Sequence, residues 1–104
     1  MALRHVAMFR FVDGVTDAQV RALADGLDRM PGAVGTMLDY RHGPDAGISE
    51  GTYDYVVVGD FATLADYRAY VGHPDHLALR RDLLEPILSE RAAIQFELAD
   101  RPVH

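Results

Sequence analysis

Neither cysteine nor lysine occurs among the 104 residues of this chain. The first absence excludes disulfides, thiolate catalysis and cysteine-based zinc or iron–sulfur sites. The second leaves no side-chain amine for a Schiff base, so every basic residue apart from histidine is arginine. No apolar run approaches the roughly 18 residues that span a bilayer. Glycines 14, 32, 35 and 59 are too scattered for a phosphate loop, and no nucleotide fingerprint is present. A net charge of −6, with both signs interspersed, argues against nucleic acid or anionic lipid as a partner. The opening "MALRHVAMFRFVDG" carries Arg4, His5 and Arg10 through its apolar stretch, unlike the uninterrupted core of a signal peptide, so the expected location is the cytoplasm. Any chemistry falls to His, Tyr, Asp, Glu and Arg.

An apolar share of 49% with 25% charged residues is that of a soluble globular protein, and the length suits one domain over 1–104, with a core at about 3–98 and a tail at 99–104. "HVAMFRF" alternates as a strand does, with His5, Ala7, Phe9 and Phe11 on one side and Val6 and Met8 on the other. Thr16 and Gln19 form a capping box for a helix whose stripe is Val20, Leu23, Ala24, Leu27 and Met30, and which "PGAVG" is expected to end. "TMLDYRHG" reads as a second strand, "GPDAGISEGT" as a mobile loop and "YDYVVVGDF" as a central strand with β-branched residues on both faces. A short helix starts at Thr63, with Asp66 at the capping-box position, and stops at Gly72. Pro74 then opens a helix, "PDHLALRRDLLEPILSE", that Pro86 kinks or closes early, and "AAIQFEL" is the last strand. The order is that of a ferredoxin-like α+β fold: a split βαβ unit with a four-stranded antiparallel sheet and helices on one face. The other face, carrying Val6, Met8, Val56 and Val58 or their alternates, is left bare and calls for a second copy, so a homodimer is expected.

"HVAMFRFVDGVTDAQV", "YDYVVVGDF" and "YVGHPDH" resemble, in order and spacing, the stress-responsive dimeric α/β-barrel (Dabb) family, over roughly residues 3 to 98. The resemblance implies a dimeric α+β barrel closed through the sheets. Many members are known only as stress-responsive or uncharacterised proteins, while one is a polyketide cyclase that closes its substrate by an intramolecular aldol reaction. The motif carries that cyclase's acid/base histidine onto His76, its partner tyrosine onto Tyr70 and its N-terminal histidine onto His5. A further histidine of the cyclase corresponds to Tyr55, which changes the pocket.

His76 as base and Tyr70 as hydrogen-bond donor suit proton abstraction α to a carbonyl, because imidazole titrates near neutral pH and a phenol stabilises a developing oxyanion. The same pair equally suits a packed helix junction. His5, among Phe9 and Phe11, is either a satisfied core histidine or a group that positions a substrate carbonyl, and Phe9 and Tyr55 are the other candidate substrate contacts. His73 precedes Pro74 and so is expected at the helix start in a structural role, and His73 with His76 lacks a third ligand, so no metal is expected. His42 and His104 are expected to be solvated, Arg80 and Arg81 to form a solvated face, and most of the tyrosines to be scaffold. The chain is thus expected to be a cofactor-free cyclase or lyase acting on a small apolar, aromatic or polyketide-like ligand. The alternative is a non-catalytic dimeric scaffold or ligand-binding protein; a cofactor-independent monooxygenase has no specific motif here.

Overall fold

A computed structural model describes residues 2–99; Met1 and residues 100–104, which include His104 and most of the expected tail, lie outside the described residues. Alternation sets the first strand, β1 (Leu3–Phe11), whose His5, Ala7 and Phe9 are buried while Val6 and Met8 on the opposite face are half-buried. Helix α1 (Asp17–Val34) starts at the expected capping box, with Gln19 N–H donating to the Thr16 hydroxyl at 3.1 Å and the Gln19 side chain accepting from Thr16 N–H at 3.0 Å. Its buried stripe is Leu23, Gly26, Leu27 and Met30. Contrary to expectation, Pro31 does not end the helix. The proline is exposed, its missing N–H removes a single backbone bond, and the chain continues to Gly35, which takes the left-handed conformation (φ 75°) and donates to Pro31 O at 3.0 Å.

Strand β2 (Asp39–Pro44) begins later than the residues that suggested it, and β3 (Tyr55–Phe61) follows a loop closed by Asp45 N–H donating to Asp54 O at 2.9 Å. Helix α2 (Leu64–Val71) is capped by the Thr63 hydroxyl, which accepts from Asp66 N–H at 3.1 Å, and ends at Gly72. His73 then caps α3 (Pro74–Leu79), its Nδ1 accepting from Asp75 N–H at 3.1 Å. Beyond α3 the backbone widens into a π-helical turn (Arg80–Leu84) and tightens into a 3₁₀ turn (Glu85–Ile87) that holds Pro86. The helical segment is therefore shorter than "PDHLALRRDLLEPILSE". Strand β4 (Leu88–Glu97) takes the residues from Leu88 onward, because Pro86 ends the helical bonding and Leu88 is already opposite Phe11.

All four strands are antiparallel in the order β2-β3-β1-β4, which is the ferredoxin-like sheet. The helices cover one face, where Ala7, Phe9, Tyr55 and Val57 pack on Leu23, Leu27, Leu79 and Ile87. Across this inner face one row of register partners reads Gln95, His5, Gly59, Tyr40. A Cβ at Gly59 would sit 3.1 Å from the Phe61 ring and 3.3 Å from that of Tyr40, so those rings would have to give by a few tenths of an ångström to admit one. The outer face is apolar and uncovered, with rows Ile94, Val6, Val58 and Ala92, Met8, Val56; Ile94 is 60% exposed. Arg4 and Asp60 sit on the same face in a bidentate pair at 2.8 and 2.9 Å. Among the described residues no helix is long and apolar enough to cross a membrane.

Candidate active site

The Gly72–Pro74 joint aims α2 and α3 at the same patch of the inner sheet. Tyr70, in the last turn of α2, and His76, in the first turn of α3, meet ring to ring with centroids 4.2 Å apart, and both are buried. They do not hydrogen-bond to each other. Tyr70 OH shares a 2.8 Å bond with Tyr40 OH on β2, and His76 Nδ1 is 3.1 Å from Val71 O. Since a carbonyl only accepts, His76 donates from Nδ1 and its Nε2 is the unprotonated nitrogen.

His5 lies beside them, its ring 5.2 Å from Tyr67 and 6.5 Å from Tyr70. Its Nδ1 is 2.8 Å from Gln95 Nε2, and because an amide nitrogen only donates, His5 accepts there and carries its proton on Nε2. No fully buried side-chain nitrogen or oxygen among the described residues lacks a partner. The Nε2 atoms of His5 and His76, which make no hydrogen bond, must therefore reach open space. Both residues line a partly enclosed cavity with about 60 Å³ of room for the centre of a water molecule, walled by Ala7, Phe9, Leu23, Leu27, Val57 and Leu84. His5, Tyr67, Tyr70 and His76 supply its polar atoms, and Arg80 and Arg91 also line it.

Burial, with the positive charge of Arg91 and the neighbouring His76, pushes His5 down from 6.5 to about 4. His76 is lowered too, mainly by burial and then by the charges of Arg80, Arg91 and His73, against its bond to Val71 O. Both imidazoles are therefore neutral at neutral pH, one presenting an acceptor and the other a donor. Burial raises Tyr70, partly opposed by its bond to Tyr40, so its hydroxyl remains protonated. Tyr40 is also raised, first by burial.

The structure thus brings His76, Tyr70, His5 and Phe9 together and leaves Tyr55 apart. Tyr55 is buried with its hydroxyl turned to His42 Nδ1 at 2.7 Å, and it does not line the cavity. Tyr53 precedes the strand and lies under Arg10, 4.2 Å from its ring centroid to the guanidinium carbon, and with Tyr55 it lines a separate surface pocket beside Met8 and Pro44. His42 is not solvated as expected: its side chain is 12% exposed and its Nε2 is 2.6 Å from Asp28 Oδ1 on α1. The Arg80–Arg81 pair also divides. Arg81 is exposed and paired with Asp82 at 2.8 Å, while Arg80 is half-buried at the cavity. Its position four residues after His76 is the helical spacing that puts the two on one face. His73 spends its Nδ1 on the helix cap, and among the described residues no group of three His, Cys, Asp or Glu side chains converges as a metal site.

The model of the stress responsive A/B barrel domain, Dabb, matches residues 3–98. Among solved structures, a dimeric ferredoxin-like protein of unknown function from Thermobifida fusca is 40% identical, with 94% of this chain and 92% of that one covered and a TM-score of 0.87. A Dabb family protein with a ferredoxin-like fold from Mesorhizobium loti is 21% identical over 95% of this chain and 98% of its own, at a TM-score of 0.79. A hydroxynitrile lyase from Passiflora edulis shares the fold at 13% identity and a TM-score of 0.83, with 98% of this chain and 97% of that one covered. No curated protein matches the sequence. With this match over nearly its whole length, the chain belongs to the stress responsive A/B barrel domain family.

Proposed function

We propose that the chain is a cofactor-free acid/base enzyme of the cyclase or lyase type, working as a homodimer. His76 Nε2 takes a proton from a carbon α to a carbonyl, and the C–H electron pair becomes that of an enolate whose oxygen is held by Tyr70 OH and His5 Nε2–H. In the cyclase direction the enolate carbon bonds to a second carbonyl carbon, and the π pair of that carbonyl moves onto its oxygen. That oxygen takes the proton back from His76, so the enzyme ends as it began; the lyase direction is the reverse. The observation that carries the reading is the opposite protonation of two neutral imidazoles, one acceptor and one donor, over an apolar cavity. The likeness to the family's polyketide cyclase at His5, Tyr70 and His76 supports it.

With about 60 Å³ of room for the centre of a water molecule, the cavity holds more than a single water and admits a small organic fragment. A substrate of polyketide length would extend beyond it. The dimer is supported by the uncovered apolar outer face and by the dimeric description of the Thermobifida fusca relative.

A second reading, ligand binding without chemistry, is favoured by the bond from His76 to Val71 O and its tilted ring contact with Tyr70, which hold the joint together. Deuterium exchange of α-protons in small ketones and 2-oxo acids, followed by NMR, separates the two. Catalysed exchange that is abolished in His76→Gln and reduced in Tyr70→Phe, with melting temperatures near that of the wild type, is the expected result. A wild type that exchanges none of these protons faster than buffer leaves only the binding reading.

A further inference from the structure

No carboxylate lines the cavity, in a chain whose net charge is −6, yet two guanidinium groups do. Arg80 reaches it from the start of the π-helical turn and Arg91 from β4, opposite Phe9. Elsewhere Arg4, Arg10, Arg41 and Arg81 are each bound to an acid at 2.8 to 2.9 Å. Arg80 and Arg91 have no such partner among the described residues. Arg21, Arg29 and Arg68 also lack one but do not line this cavity, whereas Arg91, although exposed, borders it. Two like charges facing one apolar, partly enclosed space repel each other and favour a counterion between them, and a guanidinium fork matches a carboxylate.

We infer that the cavity takes a small carboxylate, its anionic end held at the rim by Arg80 and Arg91 and its short body lying against Phe9, Leu23 and Leu27 beside His5 and His76. This rests on the reading of the cavity as a substrate site and adds the substrate class, a small carbonyl-bearing acid. The carboxylate also offsets the positive charge that disfavours an imidazolium, so it assists the proton transfer to His76.

Butyrate and butyramide have the same shape and differ in charge, and NMR titration of both into the full-length protein tests the inference. Butyrate is expected to bind about three- to tenfold more tightly than butyramide, the range for a charged pair open to water on one side. Arg91→Gln or Arg80→Gln should reduce that ratio and the double variant should abolish it, through weaker binding of butyrate. The preference should hold from pH 7 to 9, because a guanidinium keeps its charge while burial lowers His5 and His76, leaving both neutral, and raises Tyr70, keeping it protonated. Equal binding of the two compounds by the wild type overturns the carboxylate site and leaves the cavity as a binding site. A preference that survives in the double variant also overturns it, since the anion is then held elsewhere. Binding of neither compound at tens of millimolar removes the inference together with the substrate-site reading. Exposed Arg91 keeps the test interpretable if Arg80→Gln fails to fold.

Discussion

His5 makes stability depend on pH in a direction that is fixed by its surroundings. Its imidazole is at 6.5 in the unfolded chain and about 4 in the folded one, where burial, Arg91 and His76 disfavour the charged form. Between those values the unfolded chain holds more proton than the folded one, so stability rises with pH across the window. It is fully present above about pH 6.5 and lost as pH falls to about 4. At 1.36 kcal/mol per pH unit the full effect is about 3.4 kcal/mol; since the ring borders a cavity that water enters, about 1–2 kcal/mol is the better expectation. The groups around it are Gln95, Tyr67, Tyr70, His76 and Arg91, and burial lowers His76 in the same direction, so its contribution has the same sign. Urea unfolding of the wild type and of His5→Gln at matched protein concentration, at pH 4, 5, 6 and 7, isolates the contribution, because the carboxylates common to both chains cancel. The wild type should lose about 1–2 kcal/mol more than the variant between pH 7 and pH 4. Parallel stability curves would refute the assignment of His5 as a neutral imidazole held against protonation.

Two further predictions concern positions away from the cavity. His42→Ala breaks the bonds to Asp28 and Tyr55 and leaves the buried Tyr55 hydroxyl unpaired, which costs about 1–3 kcal/mol and lowers the melting temperature by about 5–15 °C; Asp28→Asn, at an exposed partner, should cost under about 1 kcal/mol, and an unchanged melting temperature in His42→Ala would dismiss the clamp. Ile94→Asp sets a charge at the β4 end of an uncovered apolar row, beside Val6, and is expected to yield a monomer in sedimentation at micromolar concentration, where an unaltered dimer would move the interface off the outer face.

Local rules wrote most of the fold into the sequence. The period of two in "HVAMFRF" places His5, Ala7 and Phe9 on the buried face, Thr16 with Gln19 marks the start of α1, and Gly72 with Pro74 marks the joint that brings Tyr70 to His76. What stayed hidden depends on register and on contacts between distant elements. Nothing in "DYRHG" says that His42 bridges α1 and β3, because that requires knowing which strand pairs with β2 and which side of α1 carries Asp28. Arg91 was hidden because the last strand, read from Ala92, starts at Leu88 and so faces Arg91 inward opposite Phe9. Arg80 sits where an α-helix gives way to a π-helical turn, a change that Pro86 hints at without locating.

Strand β4 links the cavity to the uncovered outer face. It pairs only with β1, and alternation sends Ile94 and Phe96 to the outer face while Arg91 and Gln95 turn inward. Gln95 sets the tautomer of His5 and Arg91 borders the cavity, so the atoms that define the site hang on an edge strand whose other face is bare apolar surface. An edge strand with free backbone donors and acceptors is the least constrained part of a sheet. A second copy seated on Ile94 and Phe96 would hold that strand in place, and the geometry of the donor histidine would then depend on the dimer without any partner residue entering the cavity. Dimerisation in this reading does more than cover apolar surface: it fixes the strand that orients His5.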